Sequence, residues 1–311
     1  MSLNSGPIKL GIVGVGKIVR DQHLPALAKD RDYLLTAAAS RHGKVDGIAN
    51  FPDIEAMLDA VPELEAVSLC MPPQFRYDAA RSALAAKKHV FLEKPPGATV
   101  SEVEDLKALA AANGVSLFAS WHSRYAPAVE AARAFLGSTQ IRSAAINWKE
   151  DVRRWHPNQD WIWAPGGFGV FDPGINALSI ATHILPAMFI SSAILDFPEN
   201  RAAPIAAHIA FRTSNGLPVA MELDWRQTGP QSWDILAETD KGAMVLSGGG
   251  AKLAVDGRVV HDEPEAEYPM LYRRFADIVR AGISDVDLAP LQHVADAFML
   301  GKRNVVEAFF D

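Results

Sequence analysis

The sequence predicts an α/β protein in two parts: a parallel, doubly wound sheet, then an α+β domain built on an open, mainly antiparallel sheet. Three observations predict it. Through the first 120 residues short apolar runs alternate with amphipathic stretches, the pattern of a parallel sheet covered by helices on both faces. Beyond Arg124 strand-like runs follow one another, with turns as short as Ser214-Asn215-Gly216, the pattern of hairpins. The length, 311 residues, is about twice that of a usual single domain.

In order, residues 8–14 read as a strand, followed by a helix to about residue 27. Residues 34–40, 66–71, 89–93 and 116–121 read as further strands. The clearest helix spans 100–113, opened by the capping box Thr99-x-x-Glu102 and stopped by Gly114. A helix over 127–136 and a strand over 141–149 lead into a loop, 153–171, rich in Trp, Gly and Pro. A helix follows from Gly174, then strands over 190–197, 205–213, 217–225, 233–238, 243–246 and 252–255. The acidic run Asp262-Glu263-Pro264-Glu265 reads as a solvated loop, and helices over 268–281 and 290–309 finish the chain. The expected division is a cofactor-binding domain, 1–122, and a substrate-binding domain, 123–311, whose C-terminal helices can pack back on the first.

Composition bounds the class. With 49% hydrophobic and 22% charged residues the chain reads as soluble and globular, and its net charge of -7 disfavours a nucleic-acid binder. The single cysteine, Cys70, excludes an intramolecular disulfide and any multi-cysteine metal site, and fits a reducing cytoplasm. The first six residues carry no basic, apolar leader pattern. The longest apolar stretch, 184–197, is interrupted by Ser191 and Ser192 and too short to span a bilayer. A cytoplasmic protein with no membrane and no nucleic-acid partner is the expectation.

Gly11-Ile12-Val13-Gly14-Val15-Gly16-Lys17-Ile18-Val19 stands where the first strand enters the first helix. A dinucleotide pyrophosphate needs helix N-terminal amides and no side chain in its way, which Gly14 and Gly16 permit, with Lys17 and Ile18 beside them. The third fingerprint position is Val19, not Gly or Ala, so a plain tight turn is the competing reading. The second strand ends in Ala39-Ser40-Arg41. An NAD site typically shows Asp or Glu here; a hydroxyl and a guanidinium suit a 2′-phosphate, so NADP is preferred and NAD is possible, the alternative being a solvated turn.

His89-Val90-Phe91-Leu92-Glu93-Lys94-Pro95-Pro96 places Lys94 at the C-terminal end of a buried parallel strand, where ligands bind in open α/β sheets. A partly desolvated lysine can take up a substrate hydroxyl proton; a surface lysine in a Pro-rich turn is the alternative. Glu93 and Lys94 at the end of this strand, with Cys70-Met71-Pro72 and His122 at the ends of two others, complete the expected cofactor contacts, although Cys70 itself reads as buried and unreactive. Asp172 and Asn176 lie four apart at a helix entry among Gly166, Gly167, Gly169 and Gly174, so both can face one cavity. The alternative for Asp172 is a helix cap. Glu150 and His156 flank a loop in which Trp148, Trp155, Trp161 and Trp163 stack on sugar C–H faces or simply form core. The spacing of His156, Asp172 and His183 does not suit a metal, and none is expected.

Taken together, GIVGVGKIV, SLCMPP, EKP and the block Gly166 to Asn176 resemble the glucose–fructose oxidoreductase/inositol dehydrogenase/MocA family over essentially the whole chain. The resemblance implies an N-terminal Rossmann domain, an open antiparallel sheet in the second domain, and NAD(P)-linked oxidation or reduction of a sugar or related alcohol. Trp148 to Pro157, with Ala39-Ser40-Arg41-His42 and Trp121-His122-Ser123-Arg124, is similar to the bacterial aldose 1-dehydrogenases of this family that act on D-galactose and L-arabinose. Many members have His where this chain has Asn176 and Asp where it has Ser179, which leaves Lys94 and Asp172 as the titratable pair. The expected chemistry is oxidation of an aldose at C1 to the lactone. Lys94, Asp172 and Asn176 are the catalytic set; His122, Glu150, Trp155 and His156 are further sugar contacts. A dehydrogenase or reductase of inositol or another sugar, and a non-catalytic NADP-responsive regulator, are the alternatives. The open sheet calls for a partner, and a homodimer is expected.

Overall fold

The computed structural model describes residues 6–157, 159–264 and 266–310; the residues before Gly6, and Glu265 of the acidic run, lie outside them. The chain divides into two compact units, the first made of residues up to His122 with Tyr268–Asp287, the second of Ser123–Glu267 with Leu288 onward.

The first unit carries β1 (Ile8–Val13), α1 (Leu24–Leu27), β2 (Tyr33–Ala39), β3 (Ala49–Phe51), α2 (Ile54–Ala60), β4 (Ala66–Leu69), α3 (Arg76–Ala85), β5 (His89–Glu93), α4 (Val100–Asn113) and β6 (Leu117–Ser120). Its described strands form one parallel sheet in the order β3-β2-β1-β4-β5-β6. The order reverses at β1/β4, the switch point beside which open α/β sheets bind ligands. Strands buried on both faces need continuous apolar runs, and Val90, Phe91 and Leu92 of β5 are wholly buried. Helix α4 begins and ends as its caps predict: Thr99 Oγ1 accepts the Glu102 N–H, and Gly114 closes it in the left-handed region. Glu102 reaches back to the Ala98 N–H rather than to that of Thr99. The first helix opens with a wider π turn over Val19–His23.

The second unit carries α5 (Val129–Gly137), β7 (Ile141–Lys149), α6 (Val152–Trp155), α7 (Phe171–Ile184), β8 (Met188–Pro198), β9 (Ala206–Thr213), β10 (Pro218–Asp224), β11 (Ser232–Thr239), β12 (Gly242–Ser247), β13 (Lys252–Val255) and β14 (Arg258–Asp262). Helix α8 (Glu267–Ala281) lies almost wholly in the first unit; α9 (Ala289–Leu300) and β15 (Lys302–Val306) return to the second. The sheet order is β14-β13-β12-β11-β7-β10-β9-β8-β15, antiparallel except at β7/β10 and β8/β15. Helices α5, α7 and α9 cover one face, and strands such as β10 alternate between buried and exposed positions accordingly.

Four expectations change. The helix expected to run to residue 309 stops at Leu300, because Gly301 ends it and residues 302–306 pair with β8 instead. The loop over 153–171 contains α6 and a short helical turn, Asp160–Trp163. Helix α7 starts at Phe171, not Gly174. Asp262 closes β14 and pairs with Lys252 at 3.1 Å rather than lying in a loop. No helix among the described residues is long and apolar enough to cross a membrane.

Candidate active site

In the first unit, β1 hands over to the helix at Gly14, whose φ of +87° is a glycine conformation. A Cβ there would stand 2.6 Å from the Met71 amide nitrogen, so the loops after β1 and β4 meet across a missing side chain. At Gly16, by contrast, a Cβ would find nothing within 4 Å. The fold requires the first glycine; the second keeps open the approach to the helix N-terminus beside Lys17 and Ile18, as a pyrophosphate needs. Val19, the irregular fingerprint position, is wholly buried against Ile12, Val15, Ala38 and Val45. At the end of β2 the Ser40 hydroxyl accepts the Gly43 N–H at 3.2 Å, and Arg41 is exposed. No carboxylate stands at residues 39–42. This donor set fits a dinucleotide carrying a 2′-phosphate.

Strand β5 ends at Glu93, and the Lys94–Pro95 bond is cis. Lys94 is half-buried above a buried carboxylate. Glu93 accepts hydrogen bonds from the Tyr268 hydroxyl at 2.6 Å and the Lys94 N–H at 2.6 Å, and lies 3.2 Å from His23 Nε2. His23 Nδ1 lies 2.7 Å from the Tyr272 hydroxyl, and His122, after β6, stacks on Tyr268 at 5.6 Å. Cys70 is half-buried with Sγ 3.6 Å from His23 Nε2, and burial pushes its thiol well up. Arg76, wholly buried, donates to the carbonyls of Met71, Glu93 and Pro95. Sequence reasoning missed His23, Arg76, Tyr268 and Tyr272. The signal for Arg76 was there: it heads the buried stripe Ala79, Ala80, Ala83 and Leu84 of α3, a charge where helical spacing demands an apolar side chain.

Burial alone would raise the Glu93 carboxyl, but the His23 hydrogen bond and charge, the His122 charge and the Tyr268 hydroxyl hold it at about 2, from an ordinary 4.5. The unfolded carboxyl takes up its proton near pH 4.5 and the folded one only near 2, so this stabilisation is fully present above pH 4.5 and lost as pH falls toward 2. It amounts to on the order of 3 kcal/mol. Thermal melts between pH 7 and 3 should therefore fall more steeply for the wild type than for Glu93→Gln; parallel curves would refute it.

In the second unit, Asp172 lies within the first turn of α7, with its N–H bonded to the Gly169 carbonyl at 2.9 Å. Val170, not Asp172, is the N-cap, which removes the capping alternative. Gly169, at φ +52°, lies where a Cβ would meet the Pro204 carbonyl at 2.3 Å, which seats the entry to α7 on that backbone. The Asp172 carboxylate is buried, with His156 Nε2 at 3.7 Å from it and 3.6 Å from Glu150, also buried. Trp233 Nε1–H donates to Glu150 at 2.9 Å, and Trp155, exposed, meets Trp233 edge to face at 5.4 Å. Asn176 is half-buried one turn along α7.

So Glu150, His156 and Asp172 are brought together. Trp148 and Trp163 belong to the core, Trp155 to the surface, and sequence reasoning missed Trp233 and Trp225, the latter 5.2 Å from His156. His183 pairs with Glu130. Arg153 and Arg154 lie over the rings of Phe309 and Trp155.

Comparison with known proteins follows the same lines. Residues 8–120 match the model of an oxidoreductase family with an NAD-binding Rossmann fold. The chain is 43% identical to the galactose 1-dehydrogenase of Pseudomonas fluorescens, across 98% of this chain and 99% of that one. The crystal structure of the D-galactose-1-dehydrogenase from Rhizobium etli superposes with a TM-score of 0.96 at 70% identity, covering 99% of each chain. A 3-ketoreductase from Actinomadura kijaniata shares the fold at 19% identity, with a TM-score of 0.83 over 97% of this chain and all of that one. By its glycine turn, its Glu93-Lys94-Pro95 end to β5 and a relative matched over almost its whole length, the chain belongs to the glucose–fructose oxidoreductase/inositol dehydrogenase/MocA family of oxidoreductases.

Proposed function

We propose that this sugar oxidoreductase oxidises the C1 hydroxyl of D-galactopyranose and L-arabinopyranose to the aldonolactone, with NADP preferred over NAD. The observation that carries the reading is the whole-length likeness to the Rhizobium etli enzyme. The two sugars share ring stereochemistry and differ by the C5 hydroxymethyl. When bound, the nicotinamide dinucleotide supplies the acceptor for the hydride that leaves C1. Gly14, Gly16, Lys17 and Ile18 would hold its pyrophosphate and Ser40 and Arg41 its 2′-phosphate, while Cys70, Met71, Pro72, Glu93 and His122 line the remainder. Lys94 accepts the O1 proton as the C1–H bond breaks, so that C1=O forms with charge balanced. Asp172 and Asn176 hold and orient the hydroxyls at the reacting end, Asp172 as a carboxylate and Asn176 as a neutral donor and acceptor. Glu150 and His156 bind further hydroxyls, and Trp155 offers a ring face to the sugar.

A homodimer through the outward face of the second unit's sheet is part of the same reading. One row across it, Val259, Ala254, Val245, Leu236, Ala145, Ala220 and Ala210, is apolar; Val259 and Ala220 are exposed and the other five partly buried. The lone cysteine supports a cytoplasmic setting.

The test is a panel of aldoses read at 340 nm with NADP and NAD in parallel, on wild type and Arg41→Ala. Turnover of galactose and arabinose with NADP is expected. Arg41→Ala is expected to raise the KM for NADP by about tenfold or more, with NAD little changed, because a charge-assisted bond to phosphate is lost. Absence of turnover across the panel would overturn the function, and an equal effect on both cofactors would overturn the preference.

A further inference from the structure

The turn that carries Lys94 is gripped from two sides by side chains that take no part in the chemistry above. In the amide joining Glu93 to Lys94, the carbonyl accepts from Arg76 Nη1 and the N–H donates to Glu93 Oε2. The same Arg76 nitrogen holds the Pro95 carbonyl beyond, and Nη2 holds Met71 at the end of the neighbouring loop. On the other side, Tyr268 arrives on α8, 175 residues along the chain, to hold the Glu93 carboxylate. Desolvation lowers Arg76 to about 10, which leaves it a cation at neutral pH, and Glu93 is a buried anion. Two buried charges are a poor way to stabilise a fold; packed apolar residues would do as well or better. What they do here is fix one short piece of backbone.

We propose that Arg76 and Tyr268 are positioning residues for Lys94, clamping the main chain on both sides so that its amine is delivered to one place. The proposal rests on Lys94 being the proton acceptor. A displacement of about 1 Å at a reacting group can cost about 10²-fold in rate, so the clamp is expected to appear in kcat.

The test is a double-mutant cycle. Tyr268→Phe, isosteric and lacking only the hydroxyl, is expected to lower kcat about tenfold with the NADP dissociation constant unchanged, and Arg76→Lys, which keeps the charge but cannot bridge three carbonyls, to lower it further. In a Lys94→Ala background each should add less than about twofold, since residues acting as one unit are not additive. Losses that multiply with Lys94→Ala, or a Tyr268→Phe enzyme with normal kcat, overturn the clamp alone. A Lys94→Ala enzyme with normal kcat overturns the underlying reading, and the clamp with it. Should Arg76→Lys fail to fold, Tyr268→Phe carries the cycle, with near-UV circular dichroism checking its packing.

Discussion

Lys94→Ala is expected to lower kcat for aldose oxidation by about 10²- to 10⁴-fold, the range for removal of a general base, with little change in the dissociation constant for NADP. The expectation follows from where the residue stands. It follows β5, buried from Val90 to Glu93, at the C-terminal edge of a parallel sheet, one strand from the switch point, with its backbone fixed by Arg76 and Glu93. Asn176, half-buried on α7, carries an amide, which does not ionise. Lys94→Arg separates charge from proton transfer: the guanidinium preserves the positive charge but does not give up its proton at accessible pH, so it should rescue little. Near-normal kcat in either variant would sink the assignment.

The features that were legible in the sequence are those set by local chemistry. Helix α4 begins and ends where Thr99 and Gly114 predict, because caps act within a single turn. Strand β5 and the Glu93-Lys94-Pro95 turn were legible because continuous burial requires an unbroken apolar run and proline then ends it. The unread features come from distant partners. Lys302-Arg303-Asn304-Val305-Val306 is a mostly exposed edge whose strand character comes from pairing with β8. Strands β3 and β14 are short and carry no buried face of their own. The buried network beneath Lys94 joins His23, Glu93 and Tyr268, separated by 70 and 175 residues, and no local pattern connects them. For the same reason Lys94 and Asp172 could be named as motif residues while the groups that hold Lys94 could not. The Asp172 capping reading failed on register: α7 begins three residues earlier than its glycines suggested.

Gly14→Ala and Gly16→Ala are expected to fail in different ways, and the contrast tests whether the glycine turn serves the fold, the cofactor or both. At Gly14 a Cβ meets both an unfavourable positive φ and the Met71 backbone at 2.6 Å. Strained backbone and overpacking each cost about 1–3 kcal/mol, so Gly14→Ala should lose roughly 2–5 kcal/mol in denaturant unfolding. It should also push apart the loops after β1 and β4, weakening NADP about tenfold or more, since binding then has to restore a displaced site. At Gly16 the space is open and φ is not positive. There a methyl group should leave stability within about 1 kcal/mol. It nevertheless occupies the approach to the helix N-terminus, where the pyrophosphate needs backbone contact. Gly16→Ala should therefore fold like the wild type and bind NADP poorly, measured by quenching of tryptophan fluorescence. If it binds NADP like the wild type, the opening at Gly16 is not where the pyrophosphate enters. If Gly14→Ala is as stable as the wild type, the contact with Met71 does not constrain the turn.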